Sequence, residues 1–192
     1  MKLCVYGAAS NNIDSEYIKK TEEMGRMLVK RGHSMVYGAG ANGLMGAAAR
    51  GCHEMGGEIV GVVPTFFNVD GVIFPHCTEL IRPETMRERK RIMEHSADGF
   101  IITPGGIGTF DEFFEILTLK QLSRHEKPIV IYNINNYYDA MEAFIQNAID
   151  QGFLKEACHK LYHVCSDVNE IFDYLDNYKP EVYDLFDMKE IK

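Results

Sequence analysis

No stretch of the 192-residue sequence approaches the roughly 18 consecutive apolar residues that a membrane-spanning helix needs, so no membrane partner is expected. The apolar part of the opening run Met1-Lys2-Leu3-Cys4-Val5-Tyr6-Gly7 is too short for a secretory signal. The five cysteines are odd in number and include no Cys-x-x-Cys, which suggests neither a disulfide framework nor a zinc site. Together these absences point to the reducing cytoplasm. Basic residues are in deficit: 20 Lys and Arg against 28 Asp and Glu give a net charge of -8. Such a field repels nucleic-acid polymers, while a small anion remains compatible if basic groups and backbone N–H groups gather in one pocket. No repeat, low-complexity tract or linker divides the chain. Its length and 46% hydrophobic content suit one domain spanning residues 1–192, with a charge-rich tail or docking arm from about residue 181.

What is present is an alternation of short Val-, Ile- and Tyr-rich runs with longer segments of helical period. Strands are predicted near Lys2–Tyr6, Met35–Tyr37, Glu58–Val63, Glu79–Ile81, Gly99–Thr103, Ile129–Tyr132 and Leu161–Val164. Helices are predicted near Ser15–Arg31, Leu44–Met55, Glu84–His95, Phe110–Leu122, Tyr138–Gln151 and Asn169–Leu175. Continuously apolar strands imply burial on both faces, hence a doubly wound α/β fold with a mainly parallel sheet and helices on both faces. The segment Pro64–Pro83 is the least regular and is expected to lie over the sheet edge.

Ligands of such sheets bind beyond the carboxyl ends of the strands, so the loops there carry the interest. Gly38-Ala39-Gly40-Ala41-Asn42-Gly43 satisfies G-x-G-x-x-G, but it follows the second strand, and no acidic residue closes the next one. NAD is therefore not expected. Ligand contact and a tight structural turn stand equal for this loop. Pro104-Gly105-Gly106-Ile107-Gly108-Thr109 places three glycines in four residues before a helix expected to begin at Thr109 or Phe110. Its free N–H groups and dipole make a phosphate cradle, without the lysine of a triphosphate-binding loop. Thr109-x-x-Glu112 also reads as a capping box, which needs no ligand. For Glu112 the two readings are close.

On the basic helix, Met86, Arg89, Lys90, Met93 and Ala97 fall on one face, so inward methionines draw Arg89 inward with them. A buried charge needs a partner, either a carboxylate such as Glu112 or a ligand phosphate. Lys90 stays open between the site and solvent. The helix Phe110–Leu122 is apolar nearly all round. It is either central in the monomer or covered by a second copy, and a homodimer is expected.

These residues resemble the Lonely Guy (LOG) family. Pro104-Gly105-Gly106-Ile107-Gly108-Thr109-Phe110-Asp111-Glu112 matches its P-G-G-x-G-T-x-x-E signature. Gly40-Ala41-Asn42-Gly43-Leu44-Met45-Gly46 is similar to its glycine loop, and Met86-Arg87-Glu88-Arg89-Lys90 to its M-H-x-R-K motif. The resemblance runs roughly from Lys2 to Ala157. It implies a Rossmann-like fold, a dimer or higher oligomer, and cleavage of the N-glycosidic bond of AMP or an N6-substituted AMP, as in cytokinin riboside 5′-monophosphate phosphoribohydrolases. It implies Arg89 and Glu112 as the catalytic pair. Gly105, Gly106, Gly108 and Thr109 would hold the phosphate, with Gly40, Gly43, Met86 and Lys90 also against the substrate. No cofactor and no metal are expected. Departures are Arg87 for the usual His, Ala39 for a third consecutive glycine, Gly7-Ala8-Ala9-Ser10 for C-G-S-S, and Asp111-Glu112 for Glu-Glu. Family members often carry a lysine decarboxylase label, for which this sequence offers no lysine motif. The competing reading is a non-catalytic nucleotide or molybdenum-cofactor carrier.

Overall fold

The computed structural model describes residues 1–67, 71–182 and 188. Most of the charge-rich segment from Glu181 on, and three residues of the Pro64–Pro83 segment, lie outside the described residues.

Seven strands form one sheet: β1 Lys2–Tyr6, β2 Ser34–Tyr37, β3 Ile59–Val62, β4 Glu79–Ile81, β5 Gly99–Ile102, β6 Ile129–Tyr132 and β7 His163–Cys165. Their order is β4-β3-β2-β1-β5-β6-β7, and every pairing is parallel. The helices are α1 Ser15–Lys30, α2 Gly43–Glu54, α3 Met86–Ser96, α4 Ile107–Gln121, α5 Asp139–Asp150 and α6 Val168–Asn177. The predicted elements are all present.

Side chains alternate across a strand, so each inner strand feeds two cores. Leu3, Val5, Met35 and Tyr37 meet α1, α2 and α6 on one face. Cys4, Tyr6, Val36 and Val62 meet α3, α4 and α5 on the other. Helices α1 and α2 cross closely because Gly25 lies against the Ala48 carbonyl and Gly51 against the Glu22 carbonyl, with no room for a Cβ at either position.

The chain winds outward from β1 to β4, then returns to β1 and winds the other way through β5, β6 and β7. That reversal opens a crevice between the carboxyl ends of β1 and β5. The β3–β4 connection reaches further than the sheet edge. It doubles back over the glycine loop after β2, where Ala41 N donates to Val72 O (2.8 Å) and Phe74 N to Ala39 O (2.9 Å). It thereby becomes a wall of the crevice. Ala39 takes a left-handed conformation (φ 60°), where glycine would be unstrained.

Helix α4 carries a buried lysine. Lys120 is 1% exposed; its Nζ donates to Tyr178 Oη (3.1 Å) and sits over that ring. Burial, partly offset by Glu181, pulls its pKa down to about 8. The unfolded chain holds that proton more tightly, so stability rises with pH between about 8 and the ordinary lysine value. Lys120→Met is expected to add about 1–3 kcal/mol at neutral pH and to flatten that rise. Urea denaturation at pH 7 and pH 10 checks both; a loss of stability at pH 7 refutes the burial cost.

Candidate functional site

The loops after β1, β2, β3 and β5, together with α3, enclose a cleft of about 520 Å³ at the crevice. Gly7–Ser10 and Gly38–Gly40 form one side, Val63, Phe67, Val72 and Ile73 an apolar wall, and Met86, Arg89, Gly106, Gly108, Thr109 and Glu112 the other side.

Its centre is an ion pair between helices. The helical face predicted for the basic segment holds in its later turns, where Met93 and Ala97 are buried and Arg89 goes in with them at 8% exposure, whereas Met86 at the helix start stays exposed. Arg89 Nη1 donates to Glu112 Oε1 (2.8 Å) and Nε to Val62 O (3.1 Å). Its Nη2 points at Gly38, where a Cβ would collide with it. Two fixed acceptors and a glycine floor leave Arg89 one orientation. Burial pushes the Glu112 carboxyl above the ordinary glutamate range, and Arg89 pulls it back only part of the way. Beneath it, burial keeps the Cys4 thiol and Tyr6 phenol protonated, and the charge of Glu112 adds to both effects.

The capping box expected at Thr109 and Glu112 does not form. Helix α4 starts earlier, at Ile107, with Gly106 as its N-cap and no side-chain cap bond. Thr109 therefore sits inside the first turn and Glu112 turns toward Arg89. The same spacing does make a capping box on α3, where Glu88 N donates to Thr85 Oγ1 (3.2 Å) and Thr85 N to Glu88 Oε2 (3.1 Å). The N-terminus of α4 is thus left uncapped at the cleft, with a dipole that favours an anion.

The glycines divide by cause. Gly105 has to be small because a Cβ would strike the Thr109 side chain. Gly106 and Gly108 have open space where a Cβ would go, and both line the cleft. No internal contact requires them to be small, although glycine weakens a helix start such as Gly108. On the other loop, Gly40 lines the cleft, but Gly43 does not. Gly43 has φ 59° and lies against the Ala8 carbonyl, and its N–H donates to Asn11 Oδ1 (2.8 Å). It is a structural turn between the first two loops, while Gly40 borders the cleft. Gly105 faces a second hollow of about 350 Å³, lined also by Ser10, Tyr17 and Tyr137.

Met86, 44% exposed, borders the cleft. Lys90 lines it too, but its ammonium is bound to Asp111 (3.0 Å) and Glu115. Burial lowers its pKa, yet the two carboxylates outweigh burial and raise it above the ordinary lysine value. Sequence reasoning named Gly38 only as the opening of G-x-G-x-x-G, and it did not single out the Val62 carbonyl or the Asp111–Glu115 clamp. Only the clamp left a signal, two carboxylates four residues apart on one helix face.

The family described as "Possible lysine decarboxylase" matches residues 45–175. The cytokinin riboside 5′-monophosphate phosphoribohydrolase LOG of Oryza sativa subsp. japonica is 34% identical over 180 residues, 94% of this chain and 74% of that protein. A namesake in Arabidopsis thaliana is 31% identical over 180 residues, 94% of this chain and 84% of its own length. Among solved structures, the molybdenum cofactor carrier protein of Chlamydomonas reinhardtii superposes with TM-score 0.69 at 22% identity, covering 92% of this chain and 97% of that one. The molybdenum cofactor binding protein of Rippkaea orientalis gives TM-score 0.68 at 16% identity, covering 91% and 93%. At such identities the two structures establish a shared fold and no more.

Proposed function

Because the chain belongs to the LOG family of cytokinin riboside 5′-monophosphate phosphoribohydrolases, we propose that it hydrolyses the N-glycosidic bond of AMP or an N6-substituted AMP. The products are the free base and ribose 5-phosphate. One observation carries the reading: the buried Arg89–Glu112 pair and the uncapped N-terminus of α4 face the same cleft.

The phosphate sits at Gly106, Gly108 and Thr109, where free N–H groups and the helix dipole meet its charge. The binding energy gathered there positions the sugar, while the apolar wall of Val63, Phe67, Val72 and Ile73 takes the base. Bond cleavage passes through an oxocarbenium-like sugar. Arg89 holds Oε1 of Glu112, and among the described residues Oε2 accepts no hydrogen bond. Oε2 therefore orients water at the anomeric carbon or stabilises its charge. Arg89 keeps the carboxylate ionised in a buried setting that opposes ionisation. Lys90, held charged by two carboxylates, is unsuited to a Schiff base, which argues against amino-acid decarboxylation.

Incubation with AMP and with isopentenyladenosine monophosphate, followed by chromatography of free base, tests the activity. Release of base is expected. Tight nucleotide binding without release from either compound would replace this reading with the carrier function.

Glu112 is expected to titrate above the ordinary glutamate value, so activity falls as acid protonates it within that raised range. NMR titration of its carboxyl carbon in the free protein checks this. A midpoint at or below the ordinary value overturns it.

The protein is proposed to act as a cytoplasmic homodimer. Phe113 and Ile116 of α4 are buried in the monomer, but Ile107 and Phe114, seven residues apart on one face, are exposed. Sedimentation analysis is expected to give a dimer for the wild type and a monomer for Phe114→Glu.

A further inference from the structure

Away from the cleft, two strands beyond β5, the edge strand β7 meets the first turn of α6. His163 and Cys165 are two residues apart on β7 and so point to the same side of the sheet, toward Glu170 of α6. A ring nitrogen, the thiol sulfur and a carboxylate oxygen from these residues all lie within 4.8 Å of one another. His163 Nε2 is 3.7 Å from Glu170 Oε1.

A tetrahedral zinc ion with bonds of about 2.0–2.3 Å holds its ligand atoms about 3.3–3.8 Å apart. The imidazole–carboxylate distance already fits, and small side-chain rotations close the rest. The His163 ring is steadied by stacking on Tyr174, with centroids 4.5 Å apart and planes 19° apart.

The thiol supplies an independent observation. Cys52 Sγ donates to the Gly25 carbonyl, Cys77 faces the Tyr37 hydroxyl, Cys158 accepts from Gln121, and Cys4 pairs with Tyr6. Cys165 is 2% exposed, yet among the described residues its sulfur has no hydrogen-bond partner. What faces it is the imidazole and the carboxylate of Glu170, with Asp167 nearby. Negative charge around a buried, unpartnered thiol disfavours a bare thiolate, and a dication reverses that balance.

We propose that His163, Cys165 and Glu170 form a binding site for one borderline divalent cation, Zn²⁺ by its sulfur, nitrogen and oxygen donors, with water as fourth ligand. Binding releases the thiol proton to solvent and ties the sheet edge to α6. The site is independent of the glycosidic chemistry.

The test uses the reduced, tag-free full chain and Co²⁺ as the probe. One equivalent is expected to give a thiolate-to-cobalt charge-transfer band, displaced by Zn²⁺, and Zn²⁺ is expected to raise the melting temperature. Cys165→Ser removes the band. The variants His163→Ala, at a half-buried position, and Glu170→Gln, at an exposed one, weaken Co²⁺ binding roughly tenfold or more. Absence of a band at millimolar Co²⁺ overturns the site. So does a band that survives Cys165→Ser, or affinity unchanged in both of the other variants. Base release from AMP by the Cys165→Ser and His163→Ala variants stays at the wild-type level whichever way the metal result falls.

Discussion

Glu112→Gln is expected to bind AMP within a few-fold of the wild type and to lower kcat by about 10³-fold. The amide keeps the size of the carboxyl group and retains an oxygen that can accept from Arg89 Nη1, so the helix pair α3–α4 stays in place. It cannot carry negative charge beside the anomeric carbon. The proposed phosphate site, three to six residues earlier at the start of the same helix, is untouched. Calorimetric titration with AMP and single-turnover base release separate the two properties. Turnover within tenfold of the wild type would remove Glu112 from the chemistry, and loss of binding would make it a structural residue of the cleft.

Arg89→Met is expected to lower stability by about 3–5 kcal/mol, because it strands a buried carboxylate and leaves the Val62 carbonyl without its donor. For a chain of this size that is a fall in melting temperature of about 10 °C. The loss depends on pH with a definite sign. Without the guanidinium, the raised pKa of Glu112 rises further, so the penalty is largest above that value and shrinks as acid neutralises the carboxyl group. Adding Glu112→Gln to Arg89→Met should recover much of the stability and none of the activity. A double-mutant cycle read by urea denaturation measures the coupling. A coupling energy near zero would show that the pair does not hold α3 to α4.

The elements and their order were legible because each strand is short, continuously apolar and bounded by glycine, proline or polar turns. The inward face of α3 was legible because helical spacing ties Arg89 to Met93 and Ala97. Partners across elements were not legible. That Arg89 meets Glu112, 23 residues on, could be named only as one candidate among several. The start of α4 was misplaced because Pro104-Gly105-Gly106 reads as turn throughout, whereas Gly106 serves as the N-cap. That shift of two to three residues decides whether Thr109 caps the helix or lies within it. The fold-back of residues 71–74 over the Gly38–Gly40 turn rests on backbone hydrogen bonds, which any side chains can make, so it left no trace in the sequence.

The anion cradle and the carboxylate ride on one helix. Gly106 and Glu112 are six positions apart on α4, and at 1.5 Å per residue the helix sets them about 9 Å apart along its axis. An inserted or deleted residue between them would swing Glu112 by about 100° around the axis, out of the crevice. Under the proposed function, this fixed interval acts as a ruler for a single sugar phosphate. On that reading the walls can be recut for new bases, whereas a longer phosphate chain requires the helix itself to be rebuilt.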